Sequence, residues 1–219
     1  MKIVIFGATG MVGQGVLREA LAAQDVTHVL SIGRSDSETS HPKLRTLVHA
    51  DLLDYSAIED LLTGFDACFF CLGASAVGMD EAGYSRINHD IPLAAGQVLS
   101  RLNPQLTFTY VSGAGTGSQS AMWARVKRRT ETDLLALPFK AAYMFRPGVI
   151  QPLHGARSKT PMYNAFYVLT SPLLSIARKL LPKYVLSTEE IGLAMLEVAR
   201  HGAPKNILET VDIRGLVKG

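Results

Sequence analysis

A chain of 219 residues, 47% hydrophobic and with 19 glycines, suits one well-buried α/β domain and is short for two. Its net charge of +3 is modest and its Lys and Arg are scattered, which excludes nucleic acid as the default partner. The one dense basic run, Arg125, Lys127, Arg128 and Arg129, reads as a solvated helix face.

The chain opens on an apolar run, Ile3 to Phe6, with no basic stretch, apolar segment and small-residue cleavage site of the kind that marks a signal peptide, so a cytoplasmic protein is expected. The run leads through Gly7-Ala8-Thr9-Gly10-Met11-Val12-Gly13 into a segment with Val16, Leu17, Ala20 and Leu21 at helical spacing. A glycine turn between a strand and a helix lets the backbone approach a ligand and points the helix's free amides at an anion, most naturally a dinucleotide pyrophosphate. A second strand pattern, Thr27 to Ile32, completes the context that this fingerprint needs. The spacing is G-x-x-G-x-x-G, and at this point the chain resembles the extended or atypical short-chain dehydrogenase/reductases. That resemblance implies an NAD(P)-binding Rossmann-like fold, with Gly7, Thr9, Gly10, Met11, Val12 and Gly13 at the cofactor.

Strand two ends at Gly33-Arg34, about twenty residues beyond Gly13, where an NAD-binding fold usually carries an acidic residue for the ribose 2′-hydroxyl. A guanidinium there suits a 2′-phosphate and favours NADP(H) over NAD(H), with a surface loop cation as the alternative. Leu44 to Ala50 reads as strand three, and the resemblance implies that Asp51, with Leu52, lies near the adenine. Asp54 or Ser56 reads as a cap on a helix over Ala57 to Leu62.

Strand four, Ala67 to Leu72, contains Cys68 and Cys71. With no second cysteine pair or nearby histidine, this C-x-x-C reads as two buried small hydrophobes on opposite faces of a strand, and no metal is expected. Leu72, Gly73 and Ala74 then begin a small-residue loop placed to pass under the cofactor. One helix is expected over Glu81 to Leu102; the resemblance makes Tyr84 and Asn88, one turn apart, part of the active site. Strand five, Thr107 to Val111, ends at Ser112, where the family places the hydroxyl that holds a substrate oxygen.

A helix over Ala121 to Leu137 carries the departure from the family pattern. The family's Tyr-x-x-x-Lys puts a phenol acid and a lysine one turn apart, the ammonium lowering the phenol pKa. Here Lys127 is present and Trp123 stands in the phenol's place. Indole donates a hydrogen bond but has no accessible acidic proton, so Ser112, Tyr84 or a water held by Lys127 would have to supply one. After strand six, Lys140 to Arg146, the chain matches the family's Arg-Pro-Gly with Arg146, Pro147 and Gly148, followed by Val149, at the nicotinamide end.

Residues 151–187 read as a small substrate-side lobe or lid of the single domain. It holds a polar loop with His154 and Arg157, and an apolar stretch, 162–181, with a helix starting at Pro172 behind Ser171. Prolines and hydroxyls make that stretch a poor membrane span; a lid or an oligomer contact fits it better. Ser187-Thr188-Glu189-Glu190 is a capping box for a helix over Thr188 to Arg200, Ile207 to Glu209 reads as a short edge strand, and Val211 to Leu216 as a tail.

The sequence thus predicts a Rossmann-like doubly wound α/β domain with six or seven mostly parallel strands and a small C-terminal helical lobe. Three functions stay open: an NADP(H)-dependent oxidoreductase on a small carbonyl or alcohol, an NADPH-binding protein without turnover, and a sugar-nucleotide epimerase. Little chain remains for a sugar-nucleotide lobe, and epimerisation uses the same missing tyrosine.

Overall fold

The computed structural model describes residues 1–36, 39–156, 178, 180–181 and 183–218. Its core is a seven-stranded, wholly parallel sheet in the order β3-β2-β1-β4-β5-β6-β9. The strands are β1 (Lys2–Phe6), β2 (His28–Gly33), β3 (Leu44–Val48), β4 (Ala67–Phe70), β5 (Thr107–Val111), β6 (Ala141–Arg146) and β9 (Ile207–Glu209). Strand order reverses between β1 and β4, and in such a sheet the crevice for a ligand opens there, beyond the carboxyl ends of the strands.

Strands buried on both faces explain the near-continuous apolar runs. The two-residue period divides β1, sending Ile3 and Ile5 to one core and Val4 and Phe6 to the other. The first core is closed by α1 (Met11–Ala22) and α5 (Thr188–His201), through Val16, Ala20, Ile191 and Met195. These helices meet closely, because a Cβ on Gly15 would lie 2.5 Å from the Thr188 side chain. The second core is closed by α3 (Ile91–Leu102) and α4 (Met122–Leu135), through Leu99 and Leu134. Cys68 joins the second core and Cys71, just past the end of β4, packs against the first, and burial pushes both thiols up.

Local structure departs from the sequence reading in six places. The expected helix over 81–102 is α2 (Glu81–Ser85), a π turn over Arg86–Asp90 and then α3, with the Asp80 carboxylate capping α2 through the Gly83 amide at 2.8 Å. The expected helix at 57–62 is a 3₁₀ segment, Ser56–Leu62, whose entry Asp54 fixes by accepting from the Ser56 amide at 2.9 Å. Strand three stops at Val48 and strand four at Phe70. The expected tail is a helix, α6 (Thr210–Lys218), started by Asp212, which accepts from the Glu209 amide at 2.8 Å. A separate two-stranded parallel sheet, β7 (Val149–Gln151) with β8 (Val185–Ser187), had no periodicity long enough to announce it.

The capping box is formed, with Ser187 Oγ accepting from the Glu190 amide at 3.0 Å and Glu190 accepting from the Ser187 amide at 2.7 Å. Arg157, the Ser171-Pro172 helix start and most of the apolar 162–181 stretch lie outside the described residues. Among the described residues no helix is long and apolar enough to cross a membrane.

Candidate active site

Contact distances dictate the glycine turn. Gly7 has φ +79°, and a Cβ there would lie 2.6 Å from the Leu72 nitrogen. A Cβ on Gly13 would lie 2.0 Å from the Gly7 carbonyl oxygen. The end of β1, the start of α1 and the loop after β4 therefore close on one another only with glycine at both positions. Gly10 donates to Gly7 O at 2.9 Å and stands at the N-cap of α1, where no side chain caps the helix and no acidic residue occupies the first turn. The positive helix end, from Gly10 through Met11 and Val12, thus forms a cradle with no side-chain cap. A cofactor pyrophosphate fits that cradle.

The β2–β3 side of the crevice is more exposed. Arg34 follows β2 and is exposed. Asp51 lies beyond β3, its carboxylate accepting from the Leu53 amide at 3.0 Å, while Leu52 is buried in the second core.

Asn88 organises the other side. Wholly buried in the π turn, it accepts from the Ala74 amide at 3.2 Å through Oδ1 and donates through Nδ2 to the carbonyls of Ala74 at 3.4 Å and Tyr84 at 3.2 Å. This pins the Gly73-Ala74 loop. Its own carbonyl accepts from the Tyr110 hydroxyl at 3.0 Å and from Thr130 Oγ1 at 2.8 Å, which ties the π turn to β5 and α4. Lys127, one helical turn before Glu131 on α4, is 9% exposed and donates from Nζ to the Val111 carbonyl at 3.0 Å and the Tyr110 hydroxyl at 3.3 Å. A Cβ on Gly73 would lie 4.0 Å from that Nζ, so the ammonium sits directly under the loop. Burial lowers the Lys127 pKa from 10.5 to about 8, against the opposing charge of Glu131.

Ser112, at the end of β5, is buried and its Oγ lies 3.2 Å from Thr116 Oγ1. Thr116 donates its one proton to the Gly113 carbonyl at 2.8 Å, which leaves Ser112 as the donor of that pair. Beside it opens a cleft of about 520 Å³, walled by Tyr84, Trp123, Gly113, Ala114 and the Pro147–Val149 backbone. Burial pushes the Tyr84 phenol up to about 12.

Residues 7–122 of the chain match the family described as NAD(P)H-binding. The chain belongs to this NAD(P)H-binding family. Among similar proteins are the mitochondrial FMP52 proteins of Candida glabrata, 29% identical over 93% of this chain and 87% of the relative, and of Eremothecium gossypii, 25% identical over 100% of this chain and 98% of the relative. The HTATIP2 protein of Rattus norvegicus is 27% identical over 68% of this chain and 62% of its own length. The fold is shared with an oxidoreductase of the short-chain dehydrogenase/reductase family from Burkholderia thailandensis, at a TM-score of 0.73 and 19% identity over 100% of this chain and 93% of that one. The Bordetella bronchiseptica enzyme WbmF in complex with NAD⁺ gives a TM-score of 0.70 at 15% identity over 99% of this chain and 76% of that one. An α/β Rossmann-like architecture is thereby established.

Within this NAD(P)H-binding fold, Arg146 departs from its expected place. Its guanidinium is turned away from solvent onto Glu131, at 2.9 and 2.5 Å, and onto Glu209 at 3.0 Å. The Arg-Pro-Gly segment meets the cleft through Pro147 and Gly148 instead, with the Ala114 amide donating to Pro147 O at 2.9 Å and the Gly148 amide donating to Thr210 Oγ1 at 2.9 Å. Tyr110, Thr116 and Glu131 are site-organising residues that sequence reasoning missed. Tyr110 sits on a strand with ordinary alternation, and only its pairing distance to Lys127 reveals it.

Proposed function

We propose that the chain binds NADP(H) in preference to NAD(H) and is an oxidoreductase acting on a small carbonyl or alcohol. The nicotinamide cofactor, when bound, supplies or takes up a hydride. The chain's residues would hold it as follows: the open end of α1 at the pyrophosphate, Arg34 at the 2′-phosphate, Asp51 with Leu52 at the adenine, and Lys127 beneath Gly73 at the nicotinamide ribose.

The observation that carries the reading is Lys127. A solvated helix lysine has no reason to be buried, and holding an ammonium there carries a desolvation cost that a role at the cofactor would explain. Ser112 supports it, since its accepting lone pairs suit a substrate hydroxyl.

A second reading, cofactor binding without turnover, is favoured by one feature: Trp123 has no acidic proton, and the Tyr84 phenol at about 12 is a weak acid near neutrality. A positioned general acid contributes roughly 10²- to 10⁴-fold in rate, so its loss slows a reaction without forbidding it. The sugar-nucleotide reading is weakest, because no cation among the described residues lines the cleft.

Trp123 is the chain's only tryptophan and lines the cleft, so its emission tests the proposal. Saturable quenching by NADPH at concentrations where NADH has little effect is expected. Binding of neither, by emission and by calorimetry, would overturn it. NADPH binding followed by no turnover across a carbonyl panel selects the second reading.

A further inference from the structure

We propose that the cleft over Gly113 binds an uncharged, planar, conjugated dicarbonyl of the para-quinone class, seated on the Trp123 indole. The proposal rests on the preceding reading for its placement beside the cofactor crevice, and on the cleft's own walls for the ligand class.

Charge is the first argument. Among the described residues no Lys, Arg, His, Asp or Glu lines the cleft. The cations nearest it in sequence are committed: Lys127 to Tyr110 and Val111, Arg125 to the Ser120 carbonyl at 2.9 Å and Glu81 at 2.8 Å, and Arg128 to the carbonyls of Thr116 and Gly117. A phosphate or carboxylate there would meet no counter-charge among the described walls. The site therefore selects neutral molecules.

Shape is the second. The Trp123 indole lies against the Gly113 backbone, with Cζ3 3.9 Å from where a Cβ on Gly113 would sit. The rest of the cleft is lined largely by residues that project little, among them Ala74, Ala76, Ala114 and Gly148. An open cleft with an aromatic wall favours a planar π-system. Val77 and Val149, 69% and 47% exposed, make the mouth apolar as well.

Polarity is the third. The two long polar side chains in the walls are Tyr84 and Trp123, and neither side chain hydrogen-bonds to a described residue. Indole only donates, and a phenol held above neutrality stays protonated and donates. A quinone presents acceptors at its two ends and no donor, which complements that pair.

The test uses the full-length protein and duroquinone, whose fully substituted ring does not alkylate Cys71. Quenching of Trp123 emission, corrected for absorbance, and equilibrium dialysis report binding, with and without NADPH. Anthraquinone-2-sulfonate and UDP-glucose serve as charged competitors. Saturable duroquinone binding is expected, with both competitors at least about tenfold weaker. In Ala114→Leu, which fills the cleft from an exposed loop, duroquinone binding should be lost while the melting temperature is retained. Equal or tighter binding of either charged probe overturns the proposal, as does unchanged duroquinone binding in Ala114→Leu. Because NADPH is titrated separately, failure with duroquinone alone sinks this inference, and failure with NADPH alone sinks the function proposed above.

Discussion

The ammonium of Lys127 lies 4.9 Å from the centre of the Tyr110 ring and donates to its hydroxyl at 3.3 Å, while that hydroxyl donates to the Asn88 carbonyl at 3.0 Å. A strand residue thus carries the link between the helix that supplies the lysine and the π turn that pins the Gly73-Ala74 loop. Tyr110→Phe removes that link and leaves the Asn88 carbonyl with Thr130 as its remaining side-chain donor. The expected loss is about 1 kcal/mol of stability, since one net hydrogen bond goes and the ring stays packed. Weaker NADPH binding should accompany it, checked by urea denaturation and cofactor titration on the same protein.

With Lys127 at the cofactor as proposed, its lowered pKa predicts a pH dependence of cofactor binding with a definite sign. The folded-state value of about 8 lies below the ordinary 10.5, so the ammonium loses its proton in the native protein as pH rises through about 8. Affinity for NADPH should fall over that range, by roughly tenfold for one charge-assisted hydrogen bond. Stability runs the other way. The unfolded chain holds the proton more strongly between about 8 and 10.5, so this residue's contribution is fully present above 10.5 and is lost as pH falls through about 8. Lys127→Met should flatten both profiles, the first read by titration at pH 6 to about 9.5 and the second by urea midpoints.

Cofactor preference provides a separate check on the adenine side of the crevice. Arg34 is exposed, so Arg34→Glu should leave the melting temperature nearly unchanged. NADPH affinity should fall by about one to two orders of magnitude through repulsion of the 2′-phosphate, with NADH affinity held or improved. Equal losses for both cofactors would show Arg34 to be a loop cation with no part in discrimination.

The sequence's apolar periods and glycine spacing specified the sheet and the glycine turn, because those depend on short-range pattern and on contacts a side chain would block. Gly7 and Gly13 were legible for that reason. What stayed hidden depends on pairing across the fold. Asn88 as a loop clamp, Thr116 behind Ser112 and Glu131 behind Arg146 each meet partners from 4 to 15 residues away or on another element, with no local period to mark them. Arg146 was read toward the cofactor from its motif, yet the buried Glu131 carboxylate captures it.

That capture carries its own prediction. Arg146 and Glu131 form a bidentate pair with side chains 11% and 3% exposed. Arg146→Ala leaves Glu131 buried without its cation, which costs roughly 3–5 kcal/mol. Arg146→Lys should recover little, because an ammonium cannot reproduce the two parallel bonds. Urea denaturation of both variants checks this, and a near-wild-type Lys variant would show that charge alone suffices.

His89, next to Asn88 in the π turn, is 2% exposed and stands between two carboxylates, with Nδ1 2.7 Å from Asp90 and Nε2 2.7 Å from Asp133 on α4. It fastens the π turn to α4 a second time, independently of the Asn88 carbonyl. His89→Ala removes both bonds and opens a cavity, for an expected loss of about 2–3 kcal/mol. A loss of packing alone would stop at stability. If the imidazole also holds the π turn in register, the Ala74 amide, which donates to Asn88 Oδ1, should exchange its hydrogen faster in the variant under native conditions. NADPH affinity should weaken with it, because the same displacement loosens Gly73 above Lys127. Unchanged exchange at Ala74 in a destabilised variant would confine His89 to packing and leave Asn88 held by Tyr110 and Thr130.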